Sequence, residues 1–150
     1  MFINQKKVYQ LDVSKKEDEL VSSSKSKATT LTTLFFLDEL VSGSEQEKLL
    51  LKILGAVNLK EENYVFISRA EYAHLSLMHF DAHSFPSLKN VIVFGLKSDD
   101  ISLNTISMKY FNMTTGAYHL LFADDLSTLQ NQAALKGQLW NNLKVMFEVK

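Results

Sequence analysis

Apolar positions in this chain gather in short runs divided by polar stretches, and two periods can be read from them. Leu31-Thr32-Thr33-Leu34-Phe35-Phe36-Leu37 is a compact apolar run, rich in β-branched and aromatic residues, as expected of a strand buried on both faces. It ends at Asp38-Glu39-Leu40-Val41-Ser42-Gly43. Ser44-Glu45-Gln46-Glu47 then has the form of a capping box, in which the Ser44 hydroxyl accepts from the amide three residues on and Glu47 reaches back. From there Leu49, Leu50, Ile53, Leu54 and Val57 recur at helical spacing and give one apolar face. Residues 58–63 break the pattern, and Tyr64-Val65-Phe66-Ile67-Ser68 is a second buried strand. Strand, helix and strand of these lengths predict a βαβ unit, hence an α/β fold with a central, mainly parallel sheet.

On either side of this unit the pattern is uneven. Val8 to Val13 alternates roughly and predicts an edge strand, while residues 14–30 are rich in serine and lysine and read as a polar linker. Residues 1–30 are thus expected to be a mobile N-terminal segment, and 31–150 a single α/β domain. Asn90-Val91-Ile92-Val93-Phe94-Gly95 is the third strong strand, and residues 97–104 suit a helical turn. Lys109–Met113 and Ala117–Phe122 flank Thr114-Thr115-Gly116 and predict a hairpin. Asn131 is placed to cap a last helix running to Phe147, with Leu135, Leu139, Leu143 and Phe147 every four residues. Trp140 is expected to be the largest piece of core on it. Strands 31–37, 64–68 and 91–95 should be sheet neighbours, with helices 44–57 and 131–147 covering its faces in three α/β/α layers.

Composition narrows the functions open to such a domain. The chain has 150 residues, of which 46% are hydrophobic and 22% charged, as in a globular protein. No run of about 18 apolar residues and no signal-peptide pattern occurs, so a cytoplasmic location and no membrane contact are expected. The lack of cysteine excludes disulfides, thiolate metal sites and iron–sulfur clusters. A formal net charge of -1 and no Lys/Arg cluster predict weak or absent nucleic-acid binding.

Candidate chemistry is sparse. His74, His79 and His83 lie close together, and His79 and His83 have metal-ligand spacing on a helix, but no third convergent ligand accompanies them. The pairs Asp99-Asp100 and Asp124-Asp125 precede helix starts, where carboxylates ordinarily cap. No nucleophile elbow, phosphate loop or dinucleotide fingerprint is present. The loop after the first strand is where a parallel α/β sheet usually binds ligands, and here it carries Asp38, Glu39, Glu45 and Glu47. These suit the positive end of the helix dipole and would repel a phosphate seeking the same amides.

The order of strand 31–37, acidic turn, helix 44–57, strand 64–68 and strand 91–95 resembles the uracil-DNA glycosylase fold. The segment from Asn131 through Lys136 and Leu139-Trp140 to Leu143 resembles that fold's last helix. Within the fold the chain is similar to the psi subunits of bacterial DNA polymerase III, through Glu39-Leu40 after the first strand, the Asn131 start and the Leu139-Trp140 pair. Active glycosylases carry a Gly-Glu-x-Pro-Gly loop where this chain has Asp38-Glu39-Leu40-Val41-Ser42. Their late His-Pro would fall near Asp124-Asp125, where a carboxylate opposes a developing uracil anion. His119 lies upstream on a predicted strand and does not take that role. Asp38, Glu39, Asp124 and Asp125 are therefore expected to mark a degenerate pocket, with no catalytic residue, metal or cofactor.

The resemblance implies a non-catalytic adaptor linking the clamp loader to other replication proteins, with a chi-like subunit as a further partner. Phe2, Ile3, Val8, Tyr9 and Leu11 are the candidate partner-binding residues, ahead of the polar tether; the other reading open for them is that they pad an edge of the sheet. The alternative is a degenerate glycosylase-like protein that binds nucleic acid or a small ligand.

Overall fold

The structure, a computed structural model, describes residues 29–69, 85–101, 108–115 and 118–148. Their centre is a five-stranded sheet of β1 (Thr33–Leu37), β2 (Tyr64–Ser68), β3 (Asn90–Phe94), β4 (Met113–Thr115) and β5 (Tyr118–Ala123), in the order β2-β1-β3-β5-β4. The first four strands of that order are parallel, with Phe35 opposite both Phe66 and Ile92, and Ile92 opposite Leu121. Only β4, at one edge, runs antiparallel. The three strands expected to be neighbours are neighbours, because β1 lies between β2 and β3.

All five residues of β1 and of β3 are buried. Alternate side chains divide between two cores. Leu34, Phe36, Val91, Val93, Leu120 and Phe122 belong to one, with Phe85, Leu88, Leu96 and Ile101 packed on them. Phe35, Leu37, Ile92, Phe94, Leu121 and Ala123 belong to the other, with the helices α1 (Glu45–Ala56), α2 (Leu126–Asn131) and α3 (Ala133–Met146). Helices 44–57 and 131–147 therefore share one face instead of dividing between two. The handedness of parallel crossovers accounts for the face that α1 takes, while α2 and α3 follow the last strand and belong to no crossover. The step from β1 to β2 goes one way along the sheet and puts α1 on its face. The steps from β2 to β3 and from β3 to β5 go the other way, and among the described residues of those connections Phe85, Leu88, Leu96 and Ile101 pack on the opposite face. Chain direction reverses at β1, which makes the gap between the carboxyl ends of β1 and β3 a topological switch point.

Local chemistry sets the helix ends. The Ser44 Oγ accepts from the Glu47 amide at 3.2 Å, while Glu47 Oε1 accepts from the Gly43 amide at 3.1 Å. The box thus closes one residue earlier than its simplest form. The last helix departs further from expectation. Asp125 caps the short α2, the chain breaks at Gln132, and α3 starts at Ala133 with no side-chain cap. Asn131 is the last residue of α2 and donates from Nδ2 to the Ser127 carbonyl, so it caps nothing. Leu139 and Leu143 take the buried positions of α3, and Trp140 is only half-buried.

The hairpin is also displaced from the expected bounds. β4 is residues 113–115, with Thr115 opposite Tyr118 and Met113 opposite Leu120, so Thr114 and Thr115 pair with β5 instead of turning. Lys109 instead forms an isolated bridge to Phe122, and Tyr110 turns the chain at a φ of 57°. Within residues 97–104 a 3-10 turn forms over Ser98–Ile101. The predicted strand 8–13, residues 14–28 of the predicted linker 14–30, and the histidines at 74, 79 and 83 lie outside the described residues. No helix among the described residues is long and apolar enough to cross a membrane.

Candidate functional site

Three strands end at the switch point, and the residues that follow them build a crevice of about 250 Å³. The end of β1 and the turn after it contribute Leu37, Asp38 and Glu39; β3 contributes Phe94; after β5 the crevice is lined by Asp125, Leu126 and Ser127. Val41, Ser44 and Gln46, from the turn and first residues of α1, close the remaining side. The floor is apolar, since Leu37, Phe94 and Leu126 are all buried. Gly95 is what lets the β3 and β5 ends meet. Its φ is +72°, and a Cβ there would stand 2.7 Å from the Asp125 Cβ and 3.1 Å from its Cα. The glycine amide donates to the Ala123 carbonyl at 2.9 Å, locking the two strand ends together.

The charges around this crevice are mostly negative. Arg69, the first residue after β2, donates from Nε and Nη2 to Asp38 Oδ1 at 3.1 and 3.0 Å, and from Nη1 to Asp100 Oδ1 at 3.0 Å. Its own amide is held by the Leu37 carbonyl at 2.8 Å. One guanidinium is thus shared by two carboxylates, while Glu39 and Asp125 also stand at the mouth. Asp125 spends both oxygens on the start of α2, accepting from the Thr128 amide at 3.3 Å and from the Thr128 hydroxyl at 2.6 Å. Within α1 the Glu47 amide is already taken by Ser44. A phosphate entering here would meet the carboxylates of Asp38, Glu39 and Asp125.

Asp124 is not among the residues that line the crevice and belongs to a separate polar cluster. Its carboxylate accepts from Lys109 Nζ at 2.6 Å and from the Tyr110 hydroxyl at 2.6 Å. The same hydroxyl accepts from the Asp124 amide at 3.2 Å. Hydrogen bonds from Lys109 and then Tyr110 hold the Asp124 carboxyl below its ordinary range. Burial, reinforced by the neighbouring carboxylate, pushes the Tyr110 phenol up to about 12. The loop carrying Tyr110 is stapled to α3: Asn142 Nδ2 donates to the Tyr110 carbonyl at 3.1 Å, and Asn112 Nδ2 to the Asn142 side chain at 3.1 Å. This cluster fixes a loop and engages both carboxylate oxygens of Asp124.

No protein-family model matches the chain, and neither does any curated protein. The site must be read from its own geometry.

Of the four positions expected to share a pocket, the structure brings Asp38, Glu39 and Asp125 together and sets Asp124 apart. The expected docking residues Phe2, Ile3, Val8, Tyr9 and Leu11 lie outside the described residues. Asp100 is an anchor for Arg69 and for the Lys97 amide, which donates to its Oδ2 at 2.8 Å. No group of three His, Asp or Glu side chains among the described residues could hold a metal ion. His119 lies on β5 and is exposed, away from the crevice lining. Sequence reading missed Arg69 and Gly95 as site residues. Both carry a signal in hindsight: each is the first residue after a parallel strand, at the end where such sheets place their sites.

A second concavity, of about 190 Å³, lies between α1 and α3. Leu49, Ile53 and Ala56 line it from α1, and Leu139, Trp140 and Leu143 from α3. Lys52 and Lys136 complete its lining, one from each helix.

Proposed function

We propose that this chain is a non-catalytic adaptor, resembling the psi subunit of DNA polymerase III, that links the clamp loader to other replication proteins. The observation that carries the reading is the charge of the switch-point crevice. A base-excision pocket must stabilise an anionic leaving base, and Asp38, Glu39 and Asp125 around an apolar floor would raise the energy of that anion. The same charge disfavours the alternative of a degenerate glycosylase-like protein holding nucleic acid by its phosphates. The finer fold, a three-layer α/β/α arrangement of the glycosylase type, is part of the proposal. It is supported by the parallel β2-β1-β3-β5 core and by an acidic turn leading into α1. Phe2, Ile3, Val8, Tyr9 and Leu11 serve as the arm that docks on the clamp loader, and the body is left to bind a chi-like subunit.

Two assays on the purified chain test the reading. Incubation with uracil-containing DNA, single- or double-stranded, should release no base above a buffer control. Excision that disappears in Glu39→Gln would overturn the non-catalytic assignment, because that acid would then be handling water. Titration against a purified clamp loader should give saturable association that persists at high salt, as apolar anchors imply. Absence of association would sink the adaptor role itself.

A further inference from the structure

The groove between α1 and α3 differs from the crevice in every respect that bears on partner choice. Its walls are the faces of two helices, its lining is six apolar side chains and two lysines, and no carboxylate is among them. Trp140 is only half-buried there, although it is the largest apolar side chain on α3. Lys52 and Lys136 are exposed, and neither forms an ion pair among the described residues, where Lys48 and Lys109 do. A helix pair that packed only for stability would close such a gap, because unfilled apolar walls forgo dispersion contacts.

We propose that this groove docks an acidic protein segment that inserts one large apolar side chain against Trp140, with flanking carboxylates meeting Lys52 and Lys136. Size and charge both point to that occupant. The space of about 190 Å³ is below the range of about 300–1,000 Å³ typical of sites for drug-sized ligands, and suits a single aromatic or branched aliphatic side chain. An aromatic anchor in a desolvated pocket with charges at its rim is how a short segment gains most of its affinity. One lysine on each helix gives the groove two cationic lips, so an acidic segment is attracted and a basic one repelled. A single-stranded nucleic acid fits less well, since it needs a cationic track along many phosphates, and only two lysines line the groove. This inference rests on the adaptor reading for the claim that the occupant is a protein, and it names the chemistry of that second contact.

Trp140 is the only tryptophan in the chain, so its fluorescence reports on this groove and nowhere else. The full-length protein is titrated with a tryptophan-free peptide, Asp-Glu-Asp-Phe-Leu-Asp-Glu-Asp, while heat is followed by calorimetry. Saturable change in Trp140 emission should accompany the heat, at concentrations below about 1 mM. Replacing the peptide's Phe and Leu by Ala should abolish the change, and a Lys-for-acid peptide should give none. The double variant Lys52→Glu/Lys136→Glu, altered only at exposed positions, should weaken binding by about tenfold or more. Heat without a Trp140 response, or equal binding by the lysine peptide, overturns the inference. So does a stronger Trp140 response to an oligo-dT strand or to dodecanoate, or self-association that buries Trp140 without peptide. A positive peptide titration beside a failed clamp-loader titration would remove the adaptor role and leave an acidic-segment site. The reverse pair of results would remove only the groove.

Discussion

Gly95 and Tyr110 show how much of this molecule turns on single backbone positions. Both sit at positive φ, but Gly95 is also pressed against Asp125, where a Cβ has no room. Gly95→Ala should therefore destabilise by about 1–3 kcal/mol from the backbone alone, with the contact to Asp125 adding to it. Gly55, in the last turn of α1 with nothing near its missing Cβ, is the control: Gly55→Ala should stabilise by at most about 0.5–1 kcal/mol. Denaturant midpoints of the two variants, moving in opposite directions, check the pair. The Tyr110–Asp124 contact has a different signature, in pH. Asp124 is held below its ordinary 3.8, so its contribution is present above about pH 4 and is lost as pH falls through the folded value. Tyr110 is raised from 10.0 to about 12, so its contribution is complete below pH 10 and is lost as pH climbs toward 12. The stability gap between wild type and Asp124→Asn should shrink in acid, and that for Tyr110→Phe should shrink in alkali. A gap that stays constant across either window would mean the contact does not exist in solution.

At the level of elements, what repeats is legible and what interrupts is not. β1, α1, β2 and β3 could be read from the chain because each obeys one period and is bounded by turn or cap residues. The capping box at Ser44 was legible for the same reason. The last helix was misread because its apolar period of four does not register the break at Gln132, and because Asp125 and Asn131 are both good caps. Tertiary geometry chose Asp125, since the end of β5 delivers that residue to the start of α2. Trp140 was misplaced by a related error: periodicity ranks a side chain by size and spacing, whereas Trp140 lines the groove between α1 and α3 and stays partly exposed there. Leu143 is 1% exposed and should be the costlier loss, with Leu143→Ala destabilising by about 2–5 kcal/mol. Trp140→Ala should fall below the roughly 3–5 kcal/mol of a fully buried aromatic. Chemical unfolding of the two variants gives the order directly, and a larger loss for Trp140→Ala would place that ring in the core. Ser44→Ala should cost about 1 kcal/mol, as the loss of an N-cap does.

For the whole molecule, the parallel sheet and the position of its crevice followed from the sequence, because alternating buried strands and one amphipathic helix leave few topologies. What the crevice carries followed in part. Asp38, Glu39 and Asp125 converge because each follows a parallel strand, but the partnership of Asp124 with Lys109 and Tyr110 depends on a turn at Tyr110 that no local pattern signals. Sequence reading also left a choice about residues 1–13, between an arm that docks on a partner and a segment that pads an edge of the sheet. The described sheet has β2 at one edge, where Tyr64, Val65 and Phe66 are half-buried, and the three-residue β4 at the other. These edges are where a padding segment would add, and deletion of residues 1–13 separates the two readings. If Phe2, Ile3, Val8, Tyr9 and Leu11 form a docking arm, their removal takes no core contact away. The melting temperature should then stay within about 2 °C, a shift that corresponds to less than about 1 kcal/mol for a domain of this size. Association with the clamp loader should be lost in the same variant, because a segment that folds onto its partner contributes nothing once it is cut. A fall of many degrees would instead assign these residues to the sheet edge, since removing several buried apolar side chains costs several kcal/mol. Retained association by a stable truncated chain would move the clamp-loader contact onto the globular body, leaving the arm without a role.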